Sequence, residues 1–188
     1  MKKYILIAGV NGAGKSTLYQ SLQSLQGMPR VNTDEILRDF GDWRNMADVM
    51  TAGKIAVKKI ARYFDEGITF NQETTLCGKS IINNITKAKN RGYFIELHYI
   101  GVESADIAKE RVAGRMKQGC HGIAEQDIER RYIETFDNLK TVLPECDLAA
   151  FYDNTIEFRR FAIYKSGSPV RISHHIPDWY ERFVADMT

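Results

Sequence analysis

Within GVNGAGKST, residues 9 to 17, Gly9, Gly14, Lys15 and Ser16 fall at the spacing G-x-x-x-x-G-K-[ST], after an apolar run and before a helix-compatible one. Glycines so placed let the backbone N–H groups of residues 11 to 16 close around phosphate oxygens at a helix N-terminus. Lys15 then reaches the β- and γ-phosphates, and Ser16 offers its hydroxyl to Mg²⁺. Gly9, Asn11, Gly12, Ala13, Gly14, Lys15, Ser16 and Thr17 are therefore expected at a nucleotide, with ATP and Mg²⁺ as the ligands. The bland alternative is a glycine turn before an ordinary helix. It leaves a lysine at a helix start, where the dipole disfavours positive charge.

The fate of the terminal phosphate depends on other residues. The chain contains neither the guanine-selecting N-K-x-D pattern nor the L-S-G-G-Q stretch of transporter ATPases, so switch and transporter readings lose ground. Phosphoryl transfer needs a carboxylate near the γ-phosphate, an acceptor pocket and mobile cations. In RVNTDEI, Asp34 follows a short apolar run and can serve as a proton acceptor, as an acid in the first turn of a helix capped by Asn32 and Glu35, or as a Mg²⁺ ligand. In FNQETTLCGKS, Glu73 and Thr75 can meet the hydroxyls of an acceptor; alternatively Thr74 or Thr75 caps a helix starting near Lys79. In SADIAKERVAGRMKQGCHGIAEQDIERRY, the core stripe is Ala105, Ala108, Val112 and Met116, with Arg111 and Arg115 one turn apart on the next face. Arg130 and Arg131 follow beyond the loop Gly119 to Gly122, where His121 reads as a loop anchor. Two arginine-bearing helices joined by a glycine loop suit a lid that clamps phosphate after substrate binds. The competing reading is that the arginines are solvated or paired, as Asp127 with Arg131 at i, i+4. Asn154 and Thr155 either border the adenine or form a plain strand-end turn.

The elements that must position these residues alternate. Strands are expected at 3–9, 29–32, 68–72, 93–100 and 148–153, and helices at 15–26, 46–65, 79–90, 104–118 and 125–143, with Gly27 available to end the first. FAIYKSGSPVRIS reads as a hairpin turning at Gly167 and Ser168, and Pro177 as the start of a last helix. The pattern implies an α/β fold, a parallel sheet flanked by helices on both faces, in one P-loop kinase-like domain over 1–188 with a lid region at about 104–135.

Composition narrows partners. Lys and Arg total 26 against 24 Asp and Glu, a net +2 without a like-charge block, which argues against a dedicated nucleic-acid or membrane binder. Cys77, Cys120 and Cys146 are odd in number and form no C-x-x-C pair, so reduced thiols are expected. No run approaches the roughly 18 apolar residues of a membrane span, and the apolar run from Tyr4 to Ala8 is too short for a signal peptide. A cytoplasmic protein is expected.

The series GVNGAGKST, VNTDEI, ETTLCGKS, ERVAGRMKQGCHGI with DIERRYIETFDNL, and FYDNT resembles the zeta toxin family in compact form, over most of residues 4 to 155. The resemblance implies a P-loop kinase that uses ATP and Mg²⁺ to phosphorylate the 3′-hydroxyl of the sugar in UDP-N-acetylglucosamine. It implies Lys15 and Ser16 at nucleotide and metal, Asp34 as the base, and Glu73 with Thr75 lining the sugar-nucleotide pocket. Arg111, Arg115 and Arg131 are its candidates for the γ-phosphate, and a small helical antitoxin is its implied partner. Larger members carry a basic residue shortly after the pocket threonine where this chain has Cys77 or Lys79, and Cys120 departs from the Gly-Gly-His loop of compact ones. Two other readings stand beside it: a kinase for another small hydroxyl or a nucleic-acid end, and an ATP-binding interaction module.

Overall fold

The computed structural model describes residues 1–117 and 122–185. Its seven strands form one sheet in the order β2-β3-β1-β4-β5-β6-β7. The central strands are continuous apolar runs because both their faces are covered: β1 (Lys3–Ala8) is buried from Tyr4 onward, and β4 (Phe94–Gly101) and β5 (Leu148–Asp153) are nearly so. β1 pairs in parallel with β3 (Phe70–Thr74) and β4, β3 with β2 (Arg30–Val31), and β4 with β5. The register places Ala8 beside Thr74 on one side and Tyr99 on the other, and Gly101 beside Asp153. The residues that follow β1, β3, β4 and β5 therefore emerge along one carboxyl edge, where open α/β sheets hold ligands.

The helices are α1 (Lys15–Ser21), α2 (Thr33–Arg38), α3 (Met46–Glu66), α4 (Lys79–Asn90), α5 (Ala105–Lys117), α6 (Glu125–Val142) and α7 (Asp178–Phe183). Most expected boundaries agree within two residues. The first helix is shorter than the expected 15–26: Ser21 Oγ donates to the Leu18 carbonyl at 2.8 Å, Leu22 turns extended, and a 3₁₀ turn over Gln23–Leu25 follows. Gly27, at φ +80°, thus lies after that turn and not at the end of α1. β6 (Arg159–Lys165) and β7 (Ser168–Ile172) make the antiparallel hairpin, which turns at Ser166 and Gly167, one residue earlier than expected; both residues have positive φ. Pro177 caps α7. Both sheet edges resist further pairing, β2 by its two-residue length and β7 by Pro169 and Arg171.

Two aromatic clusters fill the core. Phe70 sits among Tyr4, Tyr63 and Phe64 with ring centroids 4.9–5.3 Å away. Trp179, fully buried, packs on Tyr99, Phe136 and Phe161. Among the described residues no helix is long and apolar enough to cross a membrane.

One polar chain crosses β4 and β5. Glu96 accepts from Lys3 at 2.9 Å and lies 3.0 Å from His98 Nε2, whose Nδ1 is 3.2 Å from the Tyr152 hydroxyl. The bond from His98, aided by Lys3 and opposed by burial, holds the Glu96 carboxyl down at about 2. Its pKa is lower in the folded chain than in the unfolded one, so the stability it contributes is complete above about pH 4.5 and disappears as pH falls toward 2. That contribution is on the order of 2–3 kcal/mol. Urea unfolding across this window is expected to show the loss in the wild type and a smaller one in Glu96→Gln; equal losses would contradict the assignment.

Candidate active site

The loop after β1 closes onto the start of α1. Gly14, at φ +106°, is the N-cap, and Gly12, at φ +86°, lies so close to α5 that a Cβ would stand 2.5 Å from the Ala108 carbonyl. Lys15 is 8% exposed, and its ammonium donates to the loop's own carbonyls at Gly9 (2.9 Å) and Val10 (3.2 Å). Burial pushes its pKa below the ordinary lysine range; Glu73 and Asp34 oppose that shift, and Arg115 and Arg131 add to it. These charges from α2, β3, α5 and α6 all act on one ammonium.

A cavity of about 730 Å³ opens over this loop. Asn11, Gly12, Gly14, Lys15, Ser16 and Thr17 line one part, Asn32, Asp34 and Glu73 another, and Arg111, Arg115 and Asn154 a third. Gly9 and Ala13 are not in the lining. Arg131 is not in the lining: its Nη1 donates to Asn11 Oδ1 at 3.0 Å and ties α6 to the loop. Thr75 also lies outside the lining, its carbonyl 3.4 Å from the Cys77 thiol.

Asn32 caps α2 by accepting from the backbone N–H groups of Asp34 (2.9 Å) and Glu35 (3.3 Å), which puts Asp34 in the first turn, half-buried and facing the cavity. The expected capping box is only half formed, because the Glu35 carboxylate pairs with Arg30. Glu73, near the end of β3, accepts from Arg30 Nη2 at 2.6 Å and Asn32 Nδ2 at 3.1 Å, both on Oε2. The expected cap of α4 by Thr74 or Thr75 does not form. Thr74 Oγ1 accepts from Leu76 N, Gly78 is the N-cap, and its N–H donates to Glu134.

On α5, Arg111 Nη2 donates to the Thr155 carbonyl at 3.0 Å, while Nη1 is buried without a hydrogen-bond partner among the described residues. Arg115 is exposed at the rim. On α6, Asp127 pairs with Arg130 and not Arg131, because i, i+3 brings those two together on the outer face while Arg131 reaches inward. Met116, assigned to the core stripe of α5, is 39% exposed. Asn154 spends its amide on the Ala13 carbonyl at 2.8 Å, supporting the phosphate loop. Gly119, Cys120 and His121 lie outside the described residues.

Arg30 escaped the sequence reading. Its guanidinium stacks 3.6 Å from the Tyr19 ring centroid and bonds Glu35, Asn71 and Glu73 together, with a side chain only 9% exposed. It opens the run RVNTDEI, and only the strand order, which sets β2 beside β3, shows what it holds. Arg30→Met strands Glu73 beside the cavity and is expected to cost about 3 kcal/mol in urea unfolding. Arg30→Lys, which lacks the planar fork, should recover only part of that.

A sequence model described as Zeta toxin matches residues 1–169. An uncharacterized protein of Haemophilus influenzae is 33% identical over 130 residues, which are 69% of this chain and 92% of that one. The crystal structure of the AvrRxo1-ORF1:AvrRxo1-ORF2 complex with sulphate ions aligns at TM-score 0.74 and 14% identity, and the same complex with ATP at 0.72. The chain is aligned over 97% of its length and spans 63% of the chain matched in each. A structure of the PezAT chromosomal toxin–antitoxin system of Streptococcus pneumoniae aligns at TM-score 0.66 and 17% identity, over 84% of this chain and 71% of that one. At these identities the structures establish the fold alone, a mostly parallel α/β sheet.

Proposed function

The chain belongs to the zeta toxin family, and from that premise we propose that it is an ATP-dependent phosphotransferase. Its acceptor is a hydroxyl of a small molecule, with a sugar nucleotide such as UDP-N-acetylglucosamine as the leading candidate. One observation carries the reading: a single cavity is lined by Lys15, with its buried ammonium, and by Arg111, together with Asp34 and Glu73. Cations and backbone N–H groups suit phosphate; carboxylates suit a hydroxyl and its proton. The likeness to a complex crystallised with ATP supports the choice of nucleotide.

Lys15 now bonds two neutral carbonyls, and exchanging them for anionic phosphate oxygens strengthens both contacts. Arg111 Nη1 gains an acceptor, and Arg115 at the rim closes over the γ-phosphate, so that α5 and α6 act as the lid over about 104–135. Asp34 accepts the proton of the acceptor hydroxyl as its oxygen bonds to the γ-phosphorus and the bond to the β–γ bridging oxygen breaks, releasing ADP. Glu73 takes both of its fixing bonds on Oε2, leaving Oε1 to orient acceptor hydroxyls. The Ser16 hydroxyl, a hard oxygen donor in the cavity lining, fits Mg²⁺, which supplies neutralisation of β- and γ-phosphate charge when bound. A helical antitoxin partner belongs to the same proposal, supported by the likeness to the PezAT toxin–antitoxin system.

The acceptor is identified by offering purified protein ATP, Mg²⁺ and separate panels of sugar nucleotides, free sugars, nucleosides and RNA ends, and weighing the products. A phosphorylated sugar nucleotide is expected. Phosphorylation confined to another panel would replace the acceptor, and none anywhere would remove the kinase reading.

A further inference from the structure

The family match ends at residue 169, yet α7, beyond it, reaches the cavity through a continuous hydrogen-bonded path. Trp179 seats its indole in the core against Tyr99, Phe136 and Phe161 and donates Nε1–H to Asp153 Oδ1 at 3.0 Å. Its backbone N–H donates to the Glu103 carboxylate at 3.2 Å, so α7 is fixed at both the ring and the main chain. Asp153, buried at the end of β5, accepts on the same Oδ1 from the Thr155 hydroxyl at 2.7 Å and the Thr155 N–H at 3.2 Å. The Thr155 hydroxyl in turn accepts from Glu103 N–H at 3.0 Å.

The turn built this way touches the cavity twice. The Thr155 carbonyl holds one nitrogen of Arg111, and the neighbouring Asn154 amide holds the Ala13 carbonyl of the phosphate loop. The rest of the turn has little freedom, since Asn154 N–H donates to the Gly101 carbonyl at 3.0 Å. A carboxylate that organises a turn does so in one orientation only when its remaining valences are fixed. The indole N–H is the third donor on the Oδ1 that the turn uses, and Arg159 Nε stands 4.0 Å from Oδ2.

We propose that Trp179 is a positioning residue for the phosphate cavity: its indole N–H locks Asp153, and through the turn at 153–155 aims Arg111 and supports the phosphate loop. The inference rests on the proposed function only in taking Arg111 and that loop to engage a nucleotide. It makes the C-terminal helix part of the site in this chain. Trp179→Phe keeps an aromatic ring in the core and removes the donor.

The test is a double-mutant cycle with Arg111→Ala, read in kcat/KM for ATP and in the Kd of a non-hydrolysable ATP analogue, with thermal unfolding recorded alongside. Trp179→Phe is expected to lower both binding and turnover about tenfold when Arg111 is present, and to have less than half that effect when it is absent. A purely structural tryptophan would lower Tm and affect both backgrounds equally; that result, or no loss in either, overturns the proposal. Thr155→Val removes the hydroxyl link between Asp153 and Glu103 N–H, leaving Asp153 joined to the turn by the Thr155 N–H alone, and carries the same comparison should Trp179→Phe fail to fold. If the wild type binds the analogue but transfers no phosphoryl group, the kinase reading fails while the cycle is still decided on Kd. Absence of nucleotide binding overturns both.

Discussion

Replacement of Asp34 by asparagine is expected to lower kcat about 10³-fold and to leave the Kd for ATP within about threefold of wild type. The size follows from the role: a positioned base removes the acceptor proton as the O–P bond forms, and an amide cannot take it up. The fold should survive, because Asn32 supplies the cap of α2 and losing one acid from the first turn costs at most about 1 kcal/mol. The three roles open to Asp34 from sequence give different kinetics. As helix-turn acid alone, Asp34→Asn leaves kcat intact. As metal ligand alone, kcat returns at high Mg²⁺. As base, kcat stays low at any Mg²⁺ concentration, and that is the result expected.

Lys15→Ala is expected to abolish measurable transfer, a loss of at least about 10³-fold, together with any growth inhibition on expression. Stability should move much less. The Lys15 ammonium donates two hydrogen bonds to the loop, each contributing about 1 kcal/mol, but its burial disfavours the charge and offsets part of that contribution. An unfolding midpoint near wild type with activity gone would show a group held for chemistry at some cost to the fold. Growth inhibition that survives the substitution would point to a toxin that does not act as a kinase.

The parts of this site legible from sequence are those with short-range signatures. The phosphate loop lies within nine consecutive residues, and the run after Arg30 supplies both the Asn32 cap and Asp34. Apolar runs marked the central strands because burial on both faces leaves no alternation to misread. What sequence could not supply was pairing across elements. Arg30 meets Glu73 only because β2 lies beside β3, a neighbour relation between residues 43 apart. Sequence offers Arg131 as a candidate for the γ-phosphate, with pairing to Asp127 as the alternative, but the helix face that packs against the phosphate loop turns it to Asn11, 120 residues away. Asn154 stands after a strand end in any reading; that its amide supports Ala13 depends on β5 ending level with the loop after β1. The path from Trp179 to Arg111 has no local signature, since each link joins a different element.

The most direct test follows the labelled γ-phosphate of ATP in the presence of Mg²⁺ and UDP-N-acetylglucosamine, comparing wild type with Asp34→Asn. The account predicts label in a phosphorylated sugar nucleotide with wild type and almost none with Asp34→Asn at equal ATP occupancy. Label released only as inorganic phosphate, at the same rate in both proteins and with no acceptor labelled, would contradict it.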